Sequence, residues 1–336
     1  MPETFLFATE VALNGLMAGV MYSLVALGFV LIFKASGIFN YAQGVMALFA
    51  AMTLVGIQQG QVPFAHAINA TFGTDIHNFG WQAPALLAIL LTVGVMIALA
   101  WAVNRYIFRH LVNQEPIILF MATIGLAYFL EGIADLMWGS EIKRLDVGLP
   151  QGINTWIDET TFTIFGYGFF IDNLDIVAAI IAALLVAGLV AFSQYTKQGR
   201  ALRAVADDHQ AALSVGISLN FIWVLVWSIA GFVALVAGIM WGAKSGVQFS
   251  LSLIALKALP VLMLGGFTSI PGAIVGGLII GVGEKLFEFC FGIGQCFGGF
   301  INLGGATENW FAYVLALAFL VFRPQGLFGE KIIERV

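Results

Sequence analysis

Charge is what this chain has least of. Asp, Glu, Lys and Arg make up 10% of 336 residues, against 60% apolar residues, where soluble domains carry about 25% charged residues. Fourteen basic and 19 acidic side chains cannot cover a soluble surface when the apolar residues fall in long blocks. Nucleic acid is excluded as a partner, because the net charge is −5 and no basic cluster is large enough to neutralise a run of phosphates. Signatures of chemistry are missing too. There is no GxxxxGK[ST] loop to cradle nucleotide phosphates, no HExxH and no GxSxG, and the histidines His66, His77, His110 and His209 are scattered. Catalytic, cofactor-binding and metal residues are therefore assigned to none, and the chain is not expected to be an enzyme. Cysteine is limited to Cys290 and Cys296, without CxxC spacing. A short-loop disulfide and two buried thiols both fit that pair.

What is present is hydrocarbon in lengths suited to a membrane, where a span takes about 20 mostly apolar residues. Nine blocks qualify: 11–33, 37–57, 84–103, 116–138, 174–193, 221–241, 251–267, 270–289 and 310–322. The seventh carries Lys257 and Pro260 and ends in Gly265-Gly266, so a broken or re-entrant helix is an alternative to a full crossing. The expected fold is all-α: a polytopic helical bundle of eight or nine transmembrane helices, one transmembrane domain over 1–336. The start lacks a basic leader, and the first block is expected to remain as a membrane helix.

Orientation follows the basic residues. If every block crosses, Lys34, Arg105, Arg109, Lys197, Arg200, Arg203, Arg323, Lys331 and Arg335 fall on one side and Lys143, Arg144 and Lys244 on the other. The first set is assigned to the cytoplasm. The amino terminus and loops 58–82, 139–172 and 290–309 then face outward, and loop 194–220 and tail 323–336 face the cytosol. Within 139–172, residues 160–165 and 169–171 read as two short strands around a Gly turn, a small external hairpin.

Polar residues inside apolar blocks need partners or work to do. Glu131 and Asp135 stand four apart near the outer end of the fourth block. Lys257 is deeper, and either pairs with an acid such as Glu284 or contacts the transport path. Asn40 and Gln43, three apart, either bond to a neighbouring helix or line that path. No regular array of intramembrane acids supports a proton- or sodium-coupled carrier. Small-residue spacing at Gly15/Gly19, Gly272/Gly276 and Gly277/Gly281 suits close helix packing within the chain, with a subunit interface as the alternative.

The polar stretch between the fifth and sixth blocks holds an Ala-rich helix with Arg203 and Asp207 at i,i+4 and an apolar stripe of Leu202, Val205, Ala206 and Leu213, closed at Gly216. Its small residues suit a partner's groove. Gly199-Arg-Ala-Leu-Arg-Ala-Val-Ala-Asp-Asp208, then Ala211-Ala212 and Gly216-Ile217, resembles the cytoplasmic coupling loop of permease subunits of branched-chain amino acid ABC importers. Residues 14–28, 37–44, 257–277 and the closing Arg323-Pro-Gln-Gly-Leu-Phe-Gly329 are similar to further blocks of that family, so the resemblance covers about 14–329. Val45 departs from it, standing where many members carry an acid.

The resemblance implies a bacterial inner-membrane subunit that pairs with a second homologous permease, receives substrate from a periplasmic binding protein and is driven by two cytosolic ABC ATPase subunits, which carry the ATP and Mg. It implies an ATPase-coupling role for Gly199, Arg200, Arg203, Ala204, Asp207, Asp208, Ala211, Ala212 and Gly216. A self-contained secondary carrier or channel is the alternative class, and urea or short amides are the alternative substrates.

Overall fold

The computed structural model describes residues 2–111, 114–207, 209–292 and 307–329. These form thirteen α-helices: α1 (Pro2–Ser36), α2 (Gln43–Gln58), α3 (Ala65–Phe72), α4 (Ala85–Tyr106), α5 (Pro116–Trp138), α6 (Thr155–Phe165), α7 (Asn173–Tyr195), α8 (Lys197–Asp207), α9 (His209–Ser214), α10 (Leu219–Ser245), α11 (Ile254–Gly265), α12 (Ile270–Phe287) and α13 (Thr307–Phe322). No β-strand occurs among the described residues; three isolated bridges are all the extended pairing there is. The protein is an all-helical, multi-pass membrane protein.

Each of the nine apolar blocks overlaps a helix, although 37–42 of the second block is turn and loop before α2. Among the described residues, α1, α4, α5, α7 and α10 are long and apolar enough to cross a membrane unaided. The segment Phe249–Gly265 and the following Ile270–Gly292 pass only together and are bent by 113° at their junction, so counting that pair as one span gives six. A break falls where the sequence places Gly265-Gly266 and Pro271, and Ser269 caps the next helix by accepting from Gly272 N at 3.0 Å. Helix α2, with 16 residues, spans about 24 Å at 1.5 Å per residue. That is short of a ~30 Å hydrocarbon core.

The expected outer hairpin is a helix instead. Residues 155–165 form α6, opened by Asn154, whose side chain accepts from Ile157 N, and closed by Gly166 in the left-handed region at φ 72°. Thr161 and Thr163 donate to carbonyls four residues back, which satisfies their hydroxyls, and two good caps hold these strand-favouring residues in helical backbone. A second helix, α3, lies in loop 58–82, where none was expected.

The chain divides into two compact units, one of residues 1–26, 149–186 and 256–336, the other of 27–148 and 187–255. In the first, α1 crosses α12 with backbones in contact. A Cβ added at Gly15 would sit 2.8 Å from Gly281 O, and one at Gly277 would sit 2.6 Å from Gly19 O. Gly272 and Gly276 meet Gly265 of α11 in the same manner. Phe287 stacks on Phe311 at 4.3 Å, fixing α13 against α12. In the second unit α10 packs on α2 and α4, and α2 on α5. Its core holds large side chains, with Trp227 tilted against Phe108 at 4.7 Å between ring centroids.

Candidate functional site

Three groups of residues singled out from the sequence can be located. In the coupling stretch, Thr196 opens α8 by accepting from Gly199 N at 2.9 Å through its hydroxyl. Gly199 is required there, because a Cβ would collide with the backbone of Phe192 and Ser193 at the end of α7. Leu202, Val205 and Ala212 are buried, so this part of the apolar stripe packs within the unit. Arg200, Arg203 and Ala211 are exposed and Ala204 half-buried. Leu213 and Val215 present 53% and 80% of their surface. Gly216, at φ 87°, turns the chain out of α9, and Ile217 N bonds back to Ala212 O. Helix α8 thus exposes its basic groups and buries its large apolar ones, while the exposed apolar residues Leu213 and Val215 lie at and just after the end of α9. The side chain of Asp207, and Asp208 altogether, lie outside the described residues.

Asn40 and Gln43 form a closed lock in the second unit. Asn40 Nδ2 donates to Gln43 Oε1 at 3.2 Å, Gln43 Nε2 donates to Ala230 O on α10 at 3.3 Å, and Asn40 Oδ1 accepts from Ala42 N. Both side chains are buried. Gly28 makes room for the lock, since a Cβ there would overlap the Gln43 amide. Thr123 of α5 ties the same turn, donating to Phe39 O and accepting from Tyr41 N at 3.1 Å each.

Lys257 belongs to a chain of hydrogen bonds in the first unit. Its ammonium donates to Tyr22 Oη at 3.3 Å and sits 5.5 Å from that ring's centroid, and Tyr22 donates to the buried Glu284 carboxylate at 2.9 Å. The sequence pointed to Lys257 and Glu284 but missed Tyr22, which is hidden in an apolar run. Gly28 and Ala230 were missed for a different reason: a glycine and a backbone carbonyl carry no label. Cys290 is disulfide-bonded, and Cys296 lies outside the described residues.

Two loop groups have displaced titrations. Burial and the hydrogen bond to Glu10 push the Tyr167 phenol up to about 12, with the Glu10 charge adding to both. Burial pulls the Lys143 ammonium below its ordinary value, and Glu141 pushes back. Among the described residues no group of His, Cys, Asp and Glu is placed to hold a metal ion.

The described residues form a multi-pass helical bundle with a capped amphipathic helix between two spans. Residues 11–323 match the family described as the permease component of branched-chain amino acid transport systems, and the chain belongs to that family. Its members are permease components rather than enzymes. The chain is 27% identical to the high-affinity branched-chain amino acid transport system permease protein LivH of Escherichia coli (strain K12) over 351 aligned positions, covering 100% of both. It is 28% identical to BraD, the permease protein of the same description from Pseudomonas aeruginosa, again covering 100% of both. To the probable LivH of Methanocaldococcus jannaschii it is 27% identical, covering 91% of this chain and 88% of that one.

Proposed function

We propose that the chain is the membrane-spanning permease subunit of a bacterial inner-membrane ABC importer, forming the path for branched-chain or related small apolar amino acids. The observation that carries this is the family match over residues 11–323, supported by relatives of the same description aligned from end to end. The whole chain acts as one permease domain. In this reading its amino terminus lies outside and its carboxyl terminus in the cytosol, the arrangement that places most Lys and Arg in the cytosol if every apolar block crosses. A second homologous permease completes the pathway, a periplasmic binding protein delivers the substrate, and two cytosolic ATPases hydrolyse ATP with Mg. This chain binds no cofactor itself.

Helices α8 and α9 are the ATPase-docking element in this reading. Arg200 and Arg203 offer charge, while Ala204, Ala211 and Leu213 offer a small apolar surface. Of the polar residues considered for the path, Asn40 and Gln43 are bonded to each other and to Ala230 O, and Lys257 is bonded to Tyr22.

The test is the double variant Ala204→Glu/Ala211→Glu, with Ala211→Glu alone as the milder form because that side chain is exposed. Two carboxylates carried into a partner's groove would have to be desolvated. Membrane-inserted permease at normal level with loss of co-purifying ATPase is expected. Undiminished co-purification would overturn the docking role of α8 and α9.

A further inference from the structure

The second unit carries an apolar surface that its own core does not use. Residues 70–82, between α3 and α4, are exposed throughout, and Phe72, Ile76, Phe79 and Trp81 are the large apolar groups among them, Phe72 at 75% and Phe79 at 62% of their surface. Exposed apolar residues scattered singly need no explanation, whereas a concentration of them marks a contact. Backbone and side-chain bonds hold this segment in place. Asn69 brackets its first half, accepting from Ile76 N at 3.0 Å and from the Thr74 hydroxyl at 2.9 Å while its amide donates to Ile76 O at 3.1 Å. The second half is tied to the end of α2 and the residues that follow it. Ala83 N donates to Gln58 O at 3.1 Å, Phe79 N to Gly60 O at 2.8 Å, and Val62 N to His77 O at 3.0 Å. Gly60 permits that approach, since a Cβ there would overlap Trp81 O.

These ties set the depth of the segment. Helix α4 has 22 residues, about 33 Å at 1.5 Å each, hardly more than a ~30 Å hydrocarbon core. Its far end carries Trp101 and Tyr106, edge to face at 6.1 Å, beside Arg105, which are residues typical of a membrane interface. The residues just before Ala85 therefore fall at the opposite boundary of the hydrocarbon. Residues 79–83 are kept at that level by their bonds to Gln58 and Gly60, because α2 packs on α4 and ends there. The apolar surface is also continuous with a lipid face. In the first two turns of α4 the exposed residues are Leu86, Leu87, Leu90 and Leu91, side chains too large for the close helix approach that small residues allow.

We propose that residues 72–81 form a membrane-surface anchor. Phe79 and Trp81 sit among the acyl-carbonyl groups of the outer leaflet, in the orientation given above, and Phe72 and Ile76 extend that contact. Asp75, fully exposed and with His77 Nε2 3.0 Å from its carboxylate, marks the edge that stays in water. The segment contains no Lys or Arg, so its rings hold it and attraction to anionic headgroups does not. The anchor gives the short α2 what its length lacks: its end is bonded to a segment fixed at the interface.

The experiment places a nitroxide on Phe79→Cys, Trp81→Cys, Asp75→Cys and Leu90→Cys, each in the full chain at one copy per nanodisc of phosphatidylethanolamine and phosphatidylglycerol. Cys290 is disulfide-bonded, and wild type treated with the same label supplies the background. Collisions with oxygen, which concentrates in lipid, are compared with collisions with a neutral nickel chelate, which stays in water. Positions 79 and 81 are expected to match position 90, with an oxygen-to-nickel ratio several-fold above that at position 75. Exchanging phosphatidylglycerol for phosphatidylcholine should leave the ratio unchanged, and a fall would overturn anchoring by the rings. Nickel access at 79 and 81 equal to that at 75 would overturn the anchor; shielding that then appears only when a soluble binding protein joins the complete transporter would assign the surface to that partner. Low access to both reagents would mean burial in protein and would overturn it as well. Because the label replaces the ring it reports on, a second measurement keeps both rings. The emission of Trp81, taken as wild type minus Trp81→Phe, should be quenched by lipids brominated on their acyl chains and hardly by iodide, and the reverse order would overturn the anchor.

Discussion

The two units solve the same packing problem with glycine in opposite ways. In the first, glycine meets glycine. Gly15 and Gly19 of α1 lie against Gly277 and Gly281 of α12, backbone on backbone. In the second, most close glycines are sockets for a long-range side chain: Gly28 receives Gln43, Gly56 receives Trp138, and Gly231 receives Met96. Gly44, Gly60, Gly199 and Gly238 meet backbone instead, Gly238 facing Ala47 O at 2.5 Å. Lipid tails are as apolar as the helices they solvate, so helix association has to come from close packing and hydrogen bonds. A backbone bearing supplies the first without fixing side chains, whereas a socket supplies both and specifies which side chain must enter.

The bearing is the easier of the two to break. Gly281→Ala would put a methyl group into Gly15 O and the Gly19 backbone, neither of which can rotate away. Overpacking costs ~1–3 kcal/mol where side chains can adjust, and the upper end is expected here. The measurement is the yield of folded, monodisperse protein after extraction. Gly125→Ala on α5 is the control, since nothing lies within 4 Å of a Cβ there. That substitution is expected to be neutral or stabilising, because Ala exceeds Gly in helix propensity by about 1 kcal/mol. Equal losses in both variants would end the distinction between bearing and open glycines.

The socket predicts a smaller and more selective loss. Gln43→Leu removes the bond to Ala230 O and leaves Asn40 Nδ2 with Met46 Sδ, 3.5 Å away, as its remaining neighbour. About 1–3 kcal/mol is expected, read as a reduced level of assembled transporter with uptake falling in proportion. Uptake falling at an unchanged level of assembly would instead give Asn40 and Gln43 the path-lining role.

The same contrast explains what could be read from the chain alone. The bearing was legible because both of its partners announce themselves as GxxxG, and the apolar blocks because length and hydropathy suffice to place helices. The socket was half legible: Asn40 and Gln43 are visible polar residues, but Gly28 and the carbonyl of Ala230 look like any other glycine and alanine. Tyr22 hid in the apolar run of α1, although it stands between Lys257 and Glu284. Helix α6 was misread because Thr160, Thr161, Thr163 and Ile164 carry strand propensity. Its signals were at the ends, in Asn154 as N-cap and Gly166 as the residue that stops it. The bonds of the Lys143 ammonium to Gln61 and to Trp138 O had no signal, since these residues come together only through tertiary structure.

Each unit also has one polar fastening in a loop, and alkali should act on the two in opposite directions. In the first, Tyr167 donates to Glu10 Oε2 at 2.7 Å while Glu10 Oε1 accepts from Phe170 N, tying the segment after α6 onto α1. The folded chain holds the Tyr167 proton up to about 12, above the ordinary 10.0. Its contribution to stability is therefore complete below the ordinary value and is lost as pH rises through the window from 10 to about 12. Lys143 has the reverse sign: its folded value is lowered, so over its own window the unfolded chain binds more protons and raising the pH favours the fold. The smallest effect anticipated here is spectroscopic. Subtracting the tyrosinate absorbance titration of Tyr167→Phe from that of the wild type should leave a single transition near 12, and Glu10→Gln should move it downward because both the charge and the strength of the acceptor fall. A difference titration centred at the ordinary tyrosine value would show that the Tyr167–Glu10 fastening does not hold in solution, leaving that loop tied to α1 by Phe170 N to Glu10 Oε1 and by Asn14 Nδ2 to Phe170 O.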